Sequence, residues 1–326
     1  MPMMWDWVYL AVGAVLLFGG GEFLVRGSVS IADRYGISKL VVGLVIVGFG
    51  TSAPELLVSI QAALDGSPDI SVGNVAGSNI ANVLLIVGVA ALIVPVSNND
   101  PAIRRDLVVM VLASIVVTAI FFTGEIGRLT GIALVAALAL YLGVTYALEA
   151  RRVKAANGDD GGAIAKSEFD EEQAQKPLSL LVAIGAALLG LALLVVGARL
   201  MVDGAVGIAR GFGISEAVIG VTVVALGTSL PELATAIIAA WRKHAEVVLA
   251  NVVGSNIFNL LSILGITAII APIGVSQRFA YFDGPLMTAI AAAMLIYLFA
   301  FRSIGRWTGA LLLALYAGYI GMQAVA

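Results

Sequence analysis

Nine residues, Gly48-Phe49-Gly50-Thr51-Ser52-Ala53-Pro54-Glu55-Leu56, set a carboxylate, two hydroxyls, a proline and two glycines into an otherwise apolar run. Residues 225–233 repeat the pattern as Ala225-Leu226-Gly227-Thr228-Ser229-Leu230-Pro231-Glu232-Leu233, at an offset of 177 (232 minus 55). Proline lacks an N–H and clashes with the preceding turn, so each copy breaks its helix and frees carbonyl oxygens just upstream. At membrane depth such backbone persists only where it is buried in protein or lines a cavity. A carboxylate there costs about 2.5–3.5 kcal/mol even on mild insertion scales, so it marks a functional site. Each copy offers backbone carbonyls (Gly48 and Thr51; Ala225 and Thr228), hydroxyls (Thr51 and Ser52; Thr228 and Ser229) and one carboxylate (Glu55; Glu232). These are hard oxygen donors suited to calcium or sodium.

A second motif follows each first one: Gly73-Asn74-Val75-Ala76-Gly77-Ser78-Asn79-Ile80-Ala81-Asn82, then Ala250-Asn251-Val252-Val253-Gly254-Ser255-Asn256-Ile257-Phe258-Asn259. Helical spacing of four puts Asn74, Ser78 and Asn82 on one face, and likewise Asn251, Ser255 and Asn259. That stripe is expected to face the Glu-bearing helix of its own copy, with Asn79 and Asn256 off the face, capping or bracing a helix interruption. Two carboxylates at one site neutralise one divalent cation. Without it they repel, and monovalent cations or protons must take its place. Calcium and a driving ion then compete for one site, which is the requirement for exchange.

The elements that position these residues are membrane helices. The 326 residues are 60% hydrophobic and 12% charged, with a mean hydropathy of +1.04, the composition of a polytopic membrane protein. A net charge of −3 without a basic aromatic cluster argues against nucleic acid. Cysteine is absent, which excludes disulfides and thiolate metal sites. The single histidine, His244, cannot build a zinc site and reads as a loop residue. Met1 to Trp7 carries no basic leader segment and reads as the start of a retained first helix with interfacial tryptophans.

Polar punctuation predicts about ten spans, near 5–33, 38–64, 70–95, 106–123, 128–150, 178–209, 213–241, 246–271, 284–301 and 307–324. Residues 48–88 and 225–265, aligned without gaps, are identical at 19 of 41 positions, and Gly36-Ile37-Ser38 and Gly213-Ile214-Ser215 share the offset. The chain thus divides into a first five-helix repeat over 1–150, a linker over 151–177 of soluble composition, and a second repeat over 178–326. An odd number of spans per repeat inverts the second copy. The expected fold is therefore an all-α polytopic membrane protein, two inverted repeats whose broken helices meet at the midplane, as in secondary transporters. With the amino terminus outside, thirteen Lys and Arg fall in cytoplasmic segments and three in outside loops. This bias puts both termini outside and the linker in the cytoplasm. Glu22 and Arg26 in the first span, and Arg199 and Asp203 in the sixth, align with signs exchanged and read as pairs four apart on a structural or gate helix.

Both motif pairs resemble the alpha-repeats of the calcium/cation antiporter superfamily, nearest its prokaryotic sodium/calcium exchangers. The resemblance implies Glu55 and Glu232 as central calcium ligands beside the Thr51 and Thr228 carbonyls. It implies one sodium position from Thr51, Ser78, Ser229, Glu55 and the Gly48 carbonyl, and another from Thr228, Ser52, Ser255, Glu232 and the Ala225 carbonyl. Asn82 would line the middle of the cavity, and spans one and six would slide as a gating pair. Asn259 stands where well-known members carry an aspartate, which bears on ion stoichiometry. The function implied is sodium/calcium antiport in a prokaryotic inner membrane, with calcium and sodium as transported ions and no resident cofactor. A proton/calcium antiporter, or one moving another divalent cation, is the alternative. A channel would need a continuous pore, and an intramembrane enzyme would need a metal triad or an activated nucleophile that the sequence does not supply.

Overall fold

The structure, a computed structural model, describes residues 2–35, 47–97, 101–156, 178–212 and 225–325. The starts of the second and seventh spans, both Gly-Ile-Ser triplets and most of the linker lie outside the described residues. The first repeat comprises α1 (Pro2–Tyr35), α2 (Gly48–Thr51), α3 (Ala53–Leu64), α4 (Pro68–Ala81), a π-helical turn (Asn82–Ile86), α5 (Val87–Ile93), β1 (Val96–Ser97), α6 (Pro101–Phe121), β2 (Glu125–Ile126) and α7 (Arg128–Ala156). The second comprises α8 (Leu180–Gly211), α9 (Ala225–Thr228), α10 (Leu230–Trp241), α11 (Ala245–Phe258), a π turn (Asn259–Ile263), α12 (Leu264–Ile270), β3 (Ile273–Gly274), a third π turn (Phe279–Asp283), α13 (Gly284–Phe301), β4 (Ser303–Ile304) and α14 (Arg306–Val325). Helical runs coincide with eight of the ten expected spans and with the described parts of the second and seventh, 48–64 and 225–241, and six helices among the described residues are long and apolar enough to cross a membrane. Three boundaries differ by five residues or more: α6 starts at Pro101 rather than 106, the run into α13 starts at Phe279 rather than 284, and α7 continues to Ala156, past the expected linker start. Its last turns, Glu149-Ala150-Arg151-Arg152-Val153-Lys154-Ala155-Ala156, are mostly strong helix formers, so polarity there ends the membrane span without ending the helix.

The repeats interlock through an approximate two-fold relation. β1 pairs antiparallel with β4 (Val96 opposite Ile304), and β2 with β3 (Ile126 opposite Ile273). Each short ribbon therefore takes one strand from each repeat. Helix packing follows the same rule. A Cβ on Gly131 of α7 would sit 2.6 Å from the Gly265 carbonyl of α12, and one on Gly309 of α14 would sit 2.8 Å from the Gly88 carbonyl of α5. Small residues let membrane helices approach this closely. The α4–π–α5 and α11–π–α12 rods thus lie at the centre, and every residue from Val247 to Gly265 is buried.

One helix pair stands apart. α1 and α8 run antiparallel along a seam of glycines seven residues apart, Gly13, Gly20 and Gly27 against Gly190, Gly197 and Gly204. At its middle a Cβ on Gly190 would lie 2.4 Å from the Leu24 backbone nitrogen. The pair meets the rest of the molecule unequally: α1 packs along α10, and no comparable packing joins α8 to α3 among the described residues.

Candidate functional site

Both Glu-bearing helices are interrupted at a single serine. Ser52 (φ −83°, ψ 2°) separates α2 from α3, and Ser229 (φ −87°, ψ 4°) separates α9 from α10. Pro54 and Pro231 follow within the first turn, where a missing N–H is tolerated. The backbone ladder resumes only with the Leu56 N–H on the Ser52 carbonyl (3.2 Å) and the Leu233 N–H on the Ser229 carbonyl (3.0 Å). The expected helix breaks are present, and each points its Glu inward one turn later. Glu55 and Glu232 are both 1% exposed, and each lies in the first turn of its helix, where the dipole favours an anion.

Residues from both repeats converge on these carboxylates. The Ser52 hydroxyl donates to Glu232 Oε1 across the repeats (3.2 Å). Asn74 Nδ2 donates to the Glu55 carbonyl (3.1 Å) and to Ser59 Oγ (3.0 Å), so this member of the stripe faces its own Glu-bearing helix as expected, whereas Asn82, Ser255 and Asn259 bond the other repeat. Thr228 Oγ1 reaches Asn74 Oδ1 from the other repeat at 3.4 Å. Ser255 Oγ donates to the Gly48 carbonyl (3.3 Å), a contact between groups that the resemblance divides between two sodium positions. It arises because α2 crosses α11 where Gly48 has no side chain: a Cβ there would lie 3.1 Å from the Ser255 nitrogen. The Gly48 carbonyl also accepts the Ser52 N–H (3.2 Å), so it is less free than the sequence suggests. Thr51 is fully buried, with its hydroxyl on the Val47 carbonyl (2.9 Å). Ser78 is buried on α4 and Thr228 closes α9. Ala225 begins α9, the counterpart of Gly48.

Behind the carboxylates four asparagines form a reciprocal clasp. Asn82 Nδ2 donates to Asn256 Oδ1 (2.9 Å), and Asn259 Nδ2 donates to Asn79 Oδ1 (3.0 Å). Asn79 and Asn256 extend their own amides to Met287 Sδ (3.6 Å) and Met110 Sδ (3.4 Å), positions again 177 apart (287 minus 110). With their nitrogens committed, Asn82 and Asn259 turn their carbonyl oxygens away from the clasp. Each also begins a π turn, a feature that recurs at functional sites.

The chemistry left over is mostly oxygen. Glu55 Oε2, Glu232 Oε2, Asn82 Oδ1, Asn259 Oδ1 and Ser229 Oγ are all buried without a hydrogen-bond partner, as are Oδ1 and Nδ2 of Asn251. An unsatisfied buried polar atom costs about 1–3 kcal/mol, and more when charged. A bound cation removes that cost, and oxygen-only donors with two carboxylates fit a hard one. The ligating atoms on offer are all oxygens, which suit alkali or alkaline-earth ions better than transition metals.

The family model described as "Sodium/calcium exchanger protein" matches residues 5–147 and 182–325. The chain belongs to this family. It is 32% identical to the sodium/calcium exchanger MaX1 of Methanosarcina acetivorans over 97% of each chain. It is 35% identical to the inner membrane protein YrbG of Escherichia coli over 88% of this chain and 87% of that one. Among solved structures, the sodium-calcium exchanger NCX_Mj soaked with 10 mM Na+ and 10 mM Sr2+ superposes with a TM-score of 0.81 at 31% identity, covering 98% of both chains. The chain is thus an integral membrane transporter of the exchanger family and not an enzyme, with the all-helical fold expected.

Three features of this exchanger escaped sequence reasoning. The asparagine clasp was legible only as Asn79 and Asn256 falling off the stripe, although their recurrence at one offset is a signal of pairing. Asp106 and Asp283, also 177 apart, are buried beneath Arg105 (2.7 Å) and Arg278 (3.1 Å), and Tyr319 donates to Asp283 (3.3 Å). Glu22 does not bond Arg26 in its own helix: Arg242, at the end of α10, donates to it through Nε (3.1 Å) and through Nη2. The i, i+4 expectation fails because a guanidinium grips a carboxylate with two parallel bonds when it arrives from a facing helix.

Proposed function

We propose that this exchanger moves sodium inward and calcium outward across an inner membrane by alternating access. The amino terminus is outside, the segment 151–177 is cytoplasmic, and each five-helix repeat contributes half of one site. The observation that carries the reading is the set of buried, unpartnered oxygens from both repeats around Glu55 and Glu232. Calcium would bind between the two carboxylates with the Thr51 and Thr228 carbonyls. Sodium would bind at positions flanked by Thr51, Ser78 and Ser229 and by Thr228, Ser52 and Ser255, with the Gly48 and Ala225 carbonyls close by. Asn82 and Asn259 would supply neutral carbonyl oxygens to the middle of the cavity. The hydroxyls favour sodium as the driving ion, since a purely proton-coupled carrier needs only the carboxylates. The name of MaX1 and the ions soaked into NCX_Mj point the same way.

The coupling has a simple energetic lever. If one net positive charge enters per calcium expelled, a 100 mV membrane potential contributes about 2.3 kcal/mol, a roughly 50-fold larger calcium gradient. The test is calcium uptake by proteoliposomes under outward gradients of sodium, potassium or protons, with Glu55→Gln as the blank. Uptake driven by sodium is expected; uptake driven only by protons would move the hydroxyls to a structural role and favour proton/calcium exchange.

A further inference from the structure

Glu22 and Arg242 join the gate pair to the bundle at one end of the molecule. Their counterparts at the offset of 177 are Arg199 and Asp65: the acid of α1 becomes a base on α8, and the base ending α10 becomes an acid ending α3. The backbone positions are equivalent, with Asp65 (φ −77°, ψ 3°) and Arg242 (φ −79°, ψ 5°) each capping a broken helix at its carboxyl end. Both signs have changed, yet each pair still combines an acid with a base. A single charge reversal in either repeat would leave two like charges facing each other, so the feature retained is the pairing itself.

The structure holds one of the two pairs. Arg242 is bonded to Glu22, flanked by a Phe18–Trp241 stack (5.6 Å between centroids, 12° between planes). Beside it α1 presses on α10, where a Cβ on Gly21 would lie 3.1 Å from Ile238 Cγ1. At the other end Arg199 and Asp65 are exposed and unpaired, and Asp65 accepts only from Gln61 of its own helix (2.8 Å). The bundle obeys the two-fold relation, whereas the placement of α1 and α8 upon it does not. Exchanging the roles of the repeats therefore generates a second arrangement, in which α8 packs on α3 and α1 leaves α10.

We propose that Glu22–Arg242 and Arg199–Asp65 are alternating ion pairs that hold the α1–α8 unit in its two end positions, each formed only when the other is broken. The four side chains are positioning residues for exchange. The proposal rests on the alternating-access reading above, but not on which cation drives it. In the proposed orientation the pair formed here seals the cytoplasmic side. Because both pairs are exposed, each shifts the balance by only about two- to five-fold. That strength marks an end point without trapping the carrier there. The chemically equivalent pairs keep the two end positions similar in energy, as rapid cycling requires.

The chain has no cysteine, so paired cysteines report the two positions directly. Glu22→Cys with Arg242→Cys, and Asp65→Cys with Arg199→Cys, are treated in membranes with a short bifunctional maleimide. A protease site placed in the linker then separates uncross-linked halves on a gel. Both cross-links are expected to form, each stopping transport. In the four-cysteine chain a molecule should carry one or the other, never both. A chain in which only the first pair ever joins, whatever ions are present, or in which both join together, would overturn the proposal. In the Asp65→Cys/Arg199→Cys chain, adding Arg242→Glu should raise cross-linking about two- to five-fold, and adding Glu22→Arg as well should restore the starting yield. Failure of that restoration would reduce Glu22–Arg242 to a static brace. The cross-linking pattern is read without any gradient, so it stands apart from whether sodium, protons or another cation drives transport.

Discussion

Glu55 and Glu232 occupy equivalent positions in two near-copies of one motif, but only one of them is held by a hydroxyl. Ser52 donates to Glu232 Oε1, whereas Ser229, its counterpart, is buried without a partner; each carboxylate keeps an unbonded Oε2. Equivalent residues thus have two hydrogen-bonding arrangements within a single structure. The difference accompanies the larger asymmetry of the fold, in which α1 packs along α10 and no comparable packing joins α8 to α3 among the described residues. On the proposed mechanism, the docking of α1 and α8 would decide which of the two half-sites is engaged.

The largest expected effect ignores that difference. Glu55→Gln and Glu232→Gln should each reduce calcium transport by more than about 100-fold, consistent with losing one of two buried charges facing a divalent ion. Both variants should remain folded, as judged by elution in detergent. A variant with one glutamate replaced and near-normal flux would make the half-sites independent and break the comparison.

The gate seam comes next. Gly20→Ala places a methyl group 2.8 Å from the Gly190 carbonyl and the Leu194 nitrogen. Overpacking of this kind costs about 1–3 kcal/mol, visible as a lower melting temperature and slower exchange. Gly19→Ala, one residue away, meets nothing within 4 Å and should be neutral or up to about 1 kcal/mol stabilising. Equal effects at the two positions would mean that α1 and α8 do not pack this closely at Gly20.

Ser52→Ala removes a hydrogen bond to a carboxylate, worth about 1.5–3 kcal/mol. Ser229→Ala removes none that the structure contains. Sodium-dependent uptake should therefore fall more in the first variant when measured under conditions that favour this gate position, and the order should reverse when the opposite position is favoured. The smallest effects belong to the clasp: Asn79→Ala and Asn256→Ala each lose neutral hydrogen bonds of about 0.5–1.5 kcal/mol. Each should weaken calcium affinity by about 2- to 10-fold, and to a similar degree, because the clasp obeys the two-fold relation.

Much of this architecture was legible because its causes are local. Pro54 and Pro231 break helices wherever they sit, a buried Glu needs a partner, and a repeat with an odd number of spans must invert. The π turns at Asn82 and Asn259 were not legible. Each inserts a residue into a run with ordinary helical patterning, where an amide is pulled toward the other repeat. The Glu22–Arg242 bond was misread for a related reason: spacing within one helix says what can pair, and packing between helices decides what does. The glycine seam was readable at its seven-residue period, but a small-residue stripe names no partner until α8 lies against α1. Ser255 on the Gly48 carbonyl also depends on the crossing of α2 and α11, which sequence spacing does not specify.

The central claim is that both repeats build one site for which sodium and calcium compete. Equilibrium calcium binding to the purified protein, titrated at stepped sodium concentrations, tests it most directly. The account predicts one high-affinity calcium per chain, with an apparent affinity that falls steadily as sodium rises while capacity stays constant, and with binding lost in both Glu55→Gln and Glu232→Gln. Calcium affinity unmoved by sodium, or two equivalent calcium ions per chain, would contradict it.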